Sequence, residues 1–337
     1  MREVAVEDAV GLVLGHDLTQ VIPGQFKGVR FRRGHVIEEA DLETLRAMGK
    51  EHVYVFELAS GLVHEQEAAM TVAGRVAGQG LEASRPEEGK VTLVAVWDGL
   101  FCLDRPAVDA INRTGQLVIV TRPQWMPVHR GQRVAAVKCV PLAVPESAVD
   151  EACRQGELLS VLPYRLTRAA LLTTGQEVYS GRIADAFRPA VEAKLRPFGA
   201  SVVRHALLPD DGPTIAEAIR EAGADPEVEL ILVTGGMSVD PDDRTPGAIR
   251  ASGAEIISHG TPVLPGSMAV VAKLGEKAVL GLPACVIADP VTIFDLLLPR
   301  VLAGQIPSRE EIAALGVGGL LEWLVENHGA SSWAWDR

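Results

Sequence analysis

The chain is poor in cysteine, short of basic residues relative to its acids, and free of any long apolar run. Its four cysteines (Cys102, Cys139, Cys153 and Cys285) are widely spaced. No C-x-x-C occurs, and no pair of the eight histidines has zinc-like spacing. A disulfide framework and a structural zinc site are thereby excluded, and the cysteines read as reduced core or surface residues. With 32 basic against 44 acidic residues the formal charge is −12. That excludes duplex nucleic acid and an anionic membrane surface as partners, since both require clustered positive charge. A small anionic ligand stays compatible, because helix N-termini and turn amides bind one locally. No apolar run approaches the ~20 residues that span a bilayer. The opening "MREVAVEDAV" lacks the charged-then-apolar pattern of a signal peptide, so a cytoplasmic protein is expected.

What is present is ample material for burial, 47% apolar in 337 residues, more than one core usually holds. The texture divides the chain into an N-terminal α+β region (1–58), a β-rich middle domain with a helix (59–163), an αβα domain (164–305) and a C-terminal tail (306–337). In the first, a short helix is expected over Glu39–Met48, ended by Gly49 and followed by the strand "HVYVF". In the second, "VTLVAVW", "QLVIVT" and "RVAAVKCV" suggest a small barrel or sandwich carrying a helix near Ala68–Ala77. From Thr167 strands and helices alternate, the mark of a mainly parallel sheet covered on both faces. Helices are expected over Asp185–Phe198, over Ile215–Ala222 behind a Thr214/Glu217 capping box, and from Asp289-Pro290 to about Leu302. The tail "SSWAWDR" holds two of the five tryptophans and is expected to pack.

The stretch "LILVTGGMSVDPDDRTPGAI" concentrates the chemistry. A buried strand ends at Thr234 and leaves the sheet through Gly235-Gly236, followed by Ser238, Asp240, Asp242 and Asp243. Such turns lie at the carboxyl ends of parallel strands, where open α/β sheets bind ligands. Three further turns, "TTGQEV", "PDDG" and "GLPACVIADP", should fall on the same edge. Glu177, Asp210 and Asp243 would then converge with backbone amides as a hard-oxygen site for Mg²⁺ beside an anion pocket. The bland alternative is that the glycines only make tight turns and the acids only cap helices.

These residues also carry a resemblance. "VTGGMSVDPDDRTPGAI" is similar to the shared motif of the molybdenum-cofactor biosynthesis families, with the D-x-T-P of the molybdopterin adenylyltransferases and the T-G-G-x-S of the molybdopterin molybdenumtransferases. "TTGQEV" with "SGRIAD" resembles the transferases' T-G-x-E-L and G-x-I-x-D pair. "VLPGSM" resembles their P-G-K-P turn, and "GLPACV" their L-P-G-N-P turn. The N-terminal "VEDAVGLVLGHDL" also looks like their opening region. The resemblance implies a three-layer αβα molybdopterin-binding domain. It implies Glu177, Asp210 and Asp243 as the acids that handle metal and diphosphate, with Asp210 and Asp243 on the metal. It implies Thr174, Gly175, Thr234, Gly235, Gly236, Ser238, Thr245, Pro265, Gly266, Ser267 and Pro283 as binding positions. Three departures stand out: Val239-Asp240-Pro241 replaces a Gly-containing spacer, Ser267 replaces the Lys of P-G-K-P, and Ala284-Cys285 replaces the Gly-Asn of L-P-G-N-P.

The resemblance implies an enzyme that binds molybdopterin or adenylated molybdopterin, uses Mg²⁺, and inserts molybdenum from molybdate with cleavage of the adenylate. Adenylyl transfer to the pterin is a variant of that reading. A carrier that binds the cofactor without catalysis and passes it to a molybdoenzyme client is a separate one. A homodimer is expected on the same analogy.

Overall fold

The computed structural model describes residues 1–56, 58–87, 89–237 and 244–322. The chain forms two compact units, one from Met1–Gln124 with Val128–Leu162, the other from Trp125–Pro127 and Pro163 onward. No helix among the described residues is long and apolar enough to cross a membrane.

In the first unit, residues Glu65–Val76 form a helix whose Ala68, Ala69, Val72, Ala73 and Val76 are completely buried. They pack with Val91, Leu93 and Val137 of an antiparallel four-stranded sheet ordered 81–83, 90–95, 133–139, 117–121. A second, three-stranded sheet (127–128, 99–103 and 159–163) adds Phe101, Val128, Leu159 and Val161 to the same core, so two sheets and the helix enclose one apolar interior. The N-terminal helix is shorter than expected, Asp41–Ala47, and Gly49 follows it at φ 73°.

Side chains at the start of the long helix tie it to the N-terminal region. His64 donates from Nε2 to the Gly15 carbonyl (2.8 Å) and accepts the Gln66 amide on Nδ1 (3.2 Å), which caps the helix. Gln66 reaches Asp17 (3.1 Å), and Arg33 pairs with Glu67 (3.1 Å). Both His64 ring nitrogens are thus committed with the ring neutral. Burial holds His64 below its ordinary 6.5, and burial with Lys50 does the same for His16. A histidine with a lowered folded value contributes stability that is present above 6.5 and lost as pH falls through the folded value. The neighbouring Glu65, raised by burial, has the opposite sign: its contribution is present below 4.5 and fades as pH rises. Urea midpoints are therefore expected to drop on acidification from about pH 7.5 to about pH 5.5, a window set by the histidines. His64→Asn keeps a capping oxygen and cannot titrate, so its midpoint should drop less; an unchanged slope would remove His64 from this role.

The second unit is built on one six-stranded sheet. Its elements are β1 (Arg168–Thr174), α1 (Gln176–Tyr179), α2 (Phe187–Leu195), β2 (Ser201–Leu208), α3 (Gly212–Ala224), β3 (Leu230–Thr234), α4 (Thr245–Ala251), β4 (Glu255–His259), β5 (Val270–Leu274), β6 (Lys277–Leu282), α5 (Cys285–Ala288), α6 (Ile293–Leu302) and α7 (Arg309–Ala314). Strand order is β2-β1-β3-β6-β5-β4; the first four run parallel, and β5 alone is reversed, pairing antiparallel with both β6 and β4. β3 is buried along its whole length, as a strand covered on both faces must be. Leu230 and Leu232 face Val191, Leu195, Phe294 and Leu297 of α2 and α6. Ile231 and Val233 face Ile215, Ile219 and Ile249 of α3 and α4. This is the three-layer αβα arrangement with a mainly parallel sheet.

Three helix starts differ from expectation. α2 begins at Phe187, with Asp185 capping from outside, and hands over at Leu195 to a 3₁₀ turn, Arg196–Phe198. α3 begins at Gly212, where Asp211 accepts the Thr214 amide (3.0 Å); Glu217 pairs with Arg220 instead of closing a box. α6 starts at Ile293 behind an extended Thr292, with Asp295 returning to the Thr292 amide (2.7 Å), so Asp289-Pro290 lies outside the helix. In each case a side-chain oxygen that reaches the first-turn amides sets the start, a carboxylate for α2 and α3 and the Thr292 hydroxyl for α6. α7 opens the tail, while "SSWAWDR" lies outside the described residues.

Candidate functional site

Parallel pairing aligns the carboxyl ends of β2, β1, β3 and β6. Thr174 is in register with Leu208, Thr173 with Thr234, and Thr234 with Leu282. The antiparallel pairing of Val270 with Gly281 brings the turn Pro265–Ser267 to the same edge. Turns from distant parts of the chain therefore meet along one rim.

The first two turns are fastened together. Gly175 (φ 141°) donates to the Leu208 carbonyl (3.2 Å), and Asp210 accepts the Gln176 amide on Oδ2 (2.7 Å). Glu177 folds back over the turn, so that a Cβ on Gly175 would lie 3.0 Å from its Oε1. The β1 and β2 turns thus place Glu177 and Asp210 near each other, with one Asp210 oxygen committed to holding the loop. Ser238 and Asp243 lie outside the described residues.

The glycine pair after β3 has a packing reason of its own. A Cβ on Gly235 (φ 87°) would stand 2.2 Å from the Thr174 carbonyl oxygen. One on Gly236 (φ 54°) would stand 2.9 Å from Thr245 Oγ1. Beneath Gly236 the hydroxyls of Thr174 and Thr245 bond to each other (3.1 Å), pinning α4 to β1. The turn by itself already requires glycine at 235. Thr234 is fully buried and its hydroxyl has no hydrogen-bond partner.

On the far side of β3, Gly266 (φ 116°) packs against Ile293, and the Pro265 carbonyl accepts the Ile293 amide (3.1 Å). The Ser267 carbonyl takes the Thr261 amide (2.8 Å), and that of Pro283 takes the Val286 amide (3.2 Å). Burial, and after it the Asp289 charge, push the Cys285 thiol up to about 11, so it is protonated and a poor nucleophile at neutral pH. Under α6, Lys194 donates to both Asp295 oxygens (2.7 and 2.8 Å) and to the Pro290 carbonyl (2.9 Å), fixing the loop that follows β6. Sequence reasoning missed Lys194 and His205 and met Asp185 only as the acid of "SGRIAD", without a role; the T-x-x-D spacing of Thr292 and Asp295 was a further signal present.

Two family profiles match the chain. One, described as "Probable molybdopterin binding domain", covers residues 170–303; the other, a domain of unknown function (DUF8806), covers residues 3–57. A molybdopterin molybdenumtransferase from Synechococcus elongatus is 29% identical over 210 residues, 59% of this chain and 48% of the relative. A CinA-like protein from Citrifermentans bemidjiense is 39% identical over 90 residues, 26% of this chain and 21% of the relative. The chain thus spans about a fifth to a half of the length of these curated relatives. Among solved structures, the molybdopterin biosynthesis enzyme MoaB of Thermus thermophilus matches at 23% identity and a TM-score of 0.33, over 42% of this chain and 98% of its own. The second unit thus matches the profile of a probable molybdopterin-binding domain, and part of the chain is similar to molybdopterin molybdenumtransferases and to CinA-like proteins.

Proposed function

We propose that the second unit binds molybdopterin or its adenylated form along the rim of its sheet, and that the chain inserts molybdenum, supplied as molybdate, with Mg²⁺-dependent cleavage of the adenylate. The observation that carries this reading is the gathering of the Thr174–Glu177, Asp210, Gly235-Gly236 and Pro283 turns on one edge, with Asp210 bonded to the Gln176 amide. Backbone N–H groups at such turns hold phosphate oxygens, and the αβα layers keep them at fixed spacing.

The donor set suits a hard cation. Among the described residues no three His, Cys, Asp or Glu side chains form a metal site by themselves. Glu177 and Asp210, joined by Asp243, would supply carboxylate oxygens, and ligand phosphates and water would complete the shell, as is usual for Mg²⁺. The bound cation would offset the repulsion between a diphosphate and an acidic rim. The residues of this chain then have simpler tasks: Asp210 keeps the Gln176 turn in place, and the pinned Thr174 and Thr245 keep the glycine turn over β1.

The test is release of AMP from adenylated molybdopterin in the presence of molybdate and Mg²⁺. Asp243→Asn is expected to fold normally and lose the Mg²⁺-dependent release; wild-type release by this variant across a Mg²⁺ titration would sink the metal role. Ser267 and Ala284-Cys285 in place of phosphate-friendly residues, with an Asp210 oxygen already committed, favour a second reading. A carrier would bind the pterin tightly and release no AMP.

A further inference from the structure

A well-partnered carboxylate at the rim belongs to a residue outside the proposed ligand contacts. Asp185 accepts the Phe187 and Arg188 amides on Oδ1 (2.8 and 3.3 Å). Its Oδ2 accepts the Thr173 hydroxyl (3.3 Å) and faces His205 Nε2 at 3.0 Å. The His205 contact is at ion-pair distance, and across it a carboxylate can only accept. Side-chain exposure is 18% for His205 and 11% for Asp185, so the contact is largely shielded from water.

A Thr, a His and an Asp in contact invite comparison with a nucleophile relay, and the geometry rules that out. In a relay the imidazole bonds the acid through one nitrogen and the hydroxyl through the other. Here Thr173 Oγ1 lies 3.5 Å from the same Nε2 that Asp185 engages. Thr173 is also 1% exposed. The cluster holds parts together; it does not attack a substrate.

The parts it holds are those that frame Glu177. Thr173 is the next-to-last residue of β1, just before Thr174-Gly175, His205 is on the edge strand β2, and Asp185 stands before α2. Between Asp185 and α1 runs the segment 180–184, whose Arg182 and Ile183 amides both donate to the Glu177 carbonyl (2.9 and 3.2 Å). The segment is thus pinned at one end on Glu177 and at the other on Asp185. Thr173 hydrogen-bonds that second pin to β1 (3.3 Å), and His205 of β2 stands at ion-pair distance from it (3.0 Å).

We propose that His205 is a positioning residue of the ligand site, acting through Asp185 to hold segment 180–184 and the Glu177 turn against the rim. The proposal rests on the pterin-binding reading for its functional consequence and on hydrogen bonding alone for its structural one, and the two can fail separately. His205→Leu removes the donor and keeps apolar bulk; His205→Gln restores an N–H.

In the ligand-free full-length protein, His205→Leu should speed hydrogen exchange at the Arg182 and Ile183 amides by about tenfold, the scale of one charge-assisted bond, with His205→Gln near wild type. Asp185→Asn keeps a capping oxygen but removes the charge that faces Nε2, and should show the same acceleration. Affinity for adenylated molybdopterin should fall by a similar factor in His205→Leu at unchanged melting temperature, and return in His205→Gln. Unaltered exchange at both amides in His205→Leu and Asp185→Asn would overturn the proposal whatever the ligand. Altered exchange with wild-type affinity would overturn the role in binding. A wild-type chain that binds no pterin while the variants still exchange faster would refute the ligand reading and leave the positioning contact supported.

Discussion

Lys194→Met is expected to destabilise the second unit by about 3–5 kcal/mol, the largest single effect among the substitutions considered. The Lys194 and Asp295 side chains are 14% and 5% exposed, and the ammonium bonds both carboxylate oxygens. Without it, Asp295 keeps the Thr292 amide and hydroxyl but holds an uncompensated charge in a largely apolar layer. Asp295→Asn on the same background removes that charge and should recover most of the loss, since methionine and asparagine need no ion partner. Chemical denaturation of the two single variants and the double variant gives the coupling directly. Single-variant losses that simply add would show that the pair is not coupled.

Gly235→Ala comes second, at about 3 kcal/mol, from strain in the left-handed region together with overpacking. Its Cβ would meet the Thr174 carbonyl at 2.2 Å, and that backbone is held in register with Leu208 at the end of β1. Gly236→Ala should cost less, ~1–2 kcal/mol, because its nearest neighbour is the Thr245 hydroxyl at 2.9 Å, part of a side chain that can shift. The order of these two melting temperatures is the check; a Gly235→Ala protein as stable as wild type would mean that the turn relaxes freely. Reduced pterin binding by Gly235→Ala would not by itself assign an amide to the ligand, because the turn is displaced in any case.

How much of this could be read from the residues depends on the range of the interaction involved. "LILVT" announces a strand buried on both faces because five successive residues avoid water, and the structure buries all five. The layer order follows, since strand and helix alternation leaves few other topologies. Helix starts were less readable. Asp289-Pro290 and Thr214/Glu217 have the right composition, yet Thr292 and Asp211 cap, because their extended backbones aim the side chains at the first-turn amides. The rim turns were visible as glycine and proline signals, whereas the reason for Gly235 was not: the atom it must avoid, the Thr174 carbonyl, is 61 positions earlier. His205 was invisible for the same reason, one of eight histidines until Asp185 and Thr173 are placed beside it.

The parallel order of the sheet also governs when this site can exist during synthesis. β1 borders β3, and β3 in turn borders β6, which is complete only at Leu282. A growing chain that has emerged as far as Ala251 already contains Thr174, Asp210, Gly235 and Thr245, yet its central strand β3 still lacks the neighbour that closes one side. The rim is therefore a late product of the ribosome. Any ligand that stabilises it reaches a nearly finished domain, and a chain interrupted before Leu282 leaves a sheet edge exposed to self-association instead of a binding site.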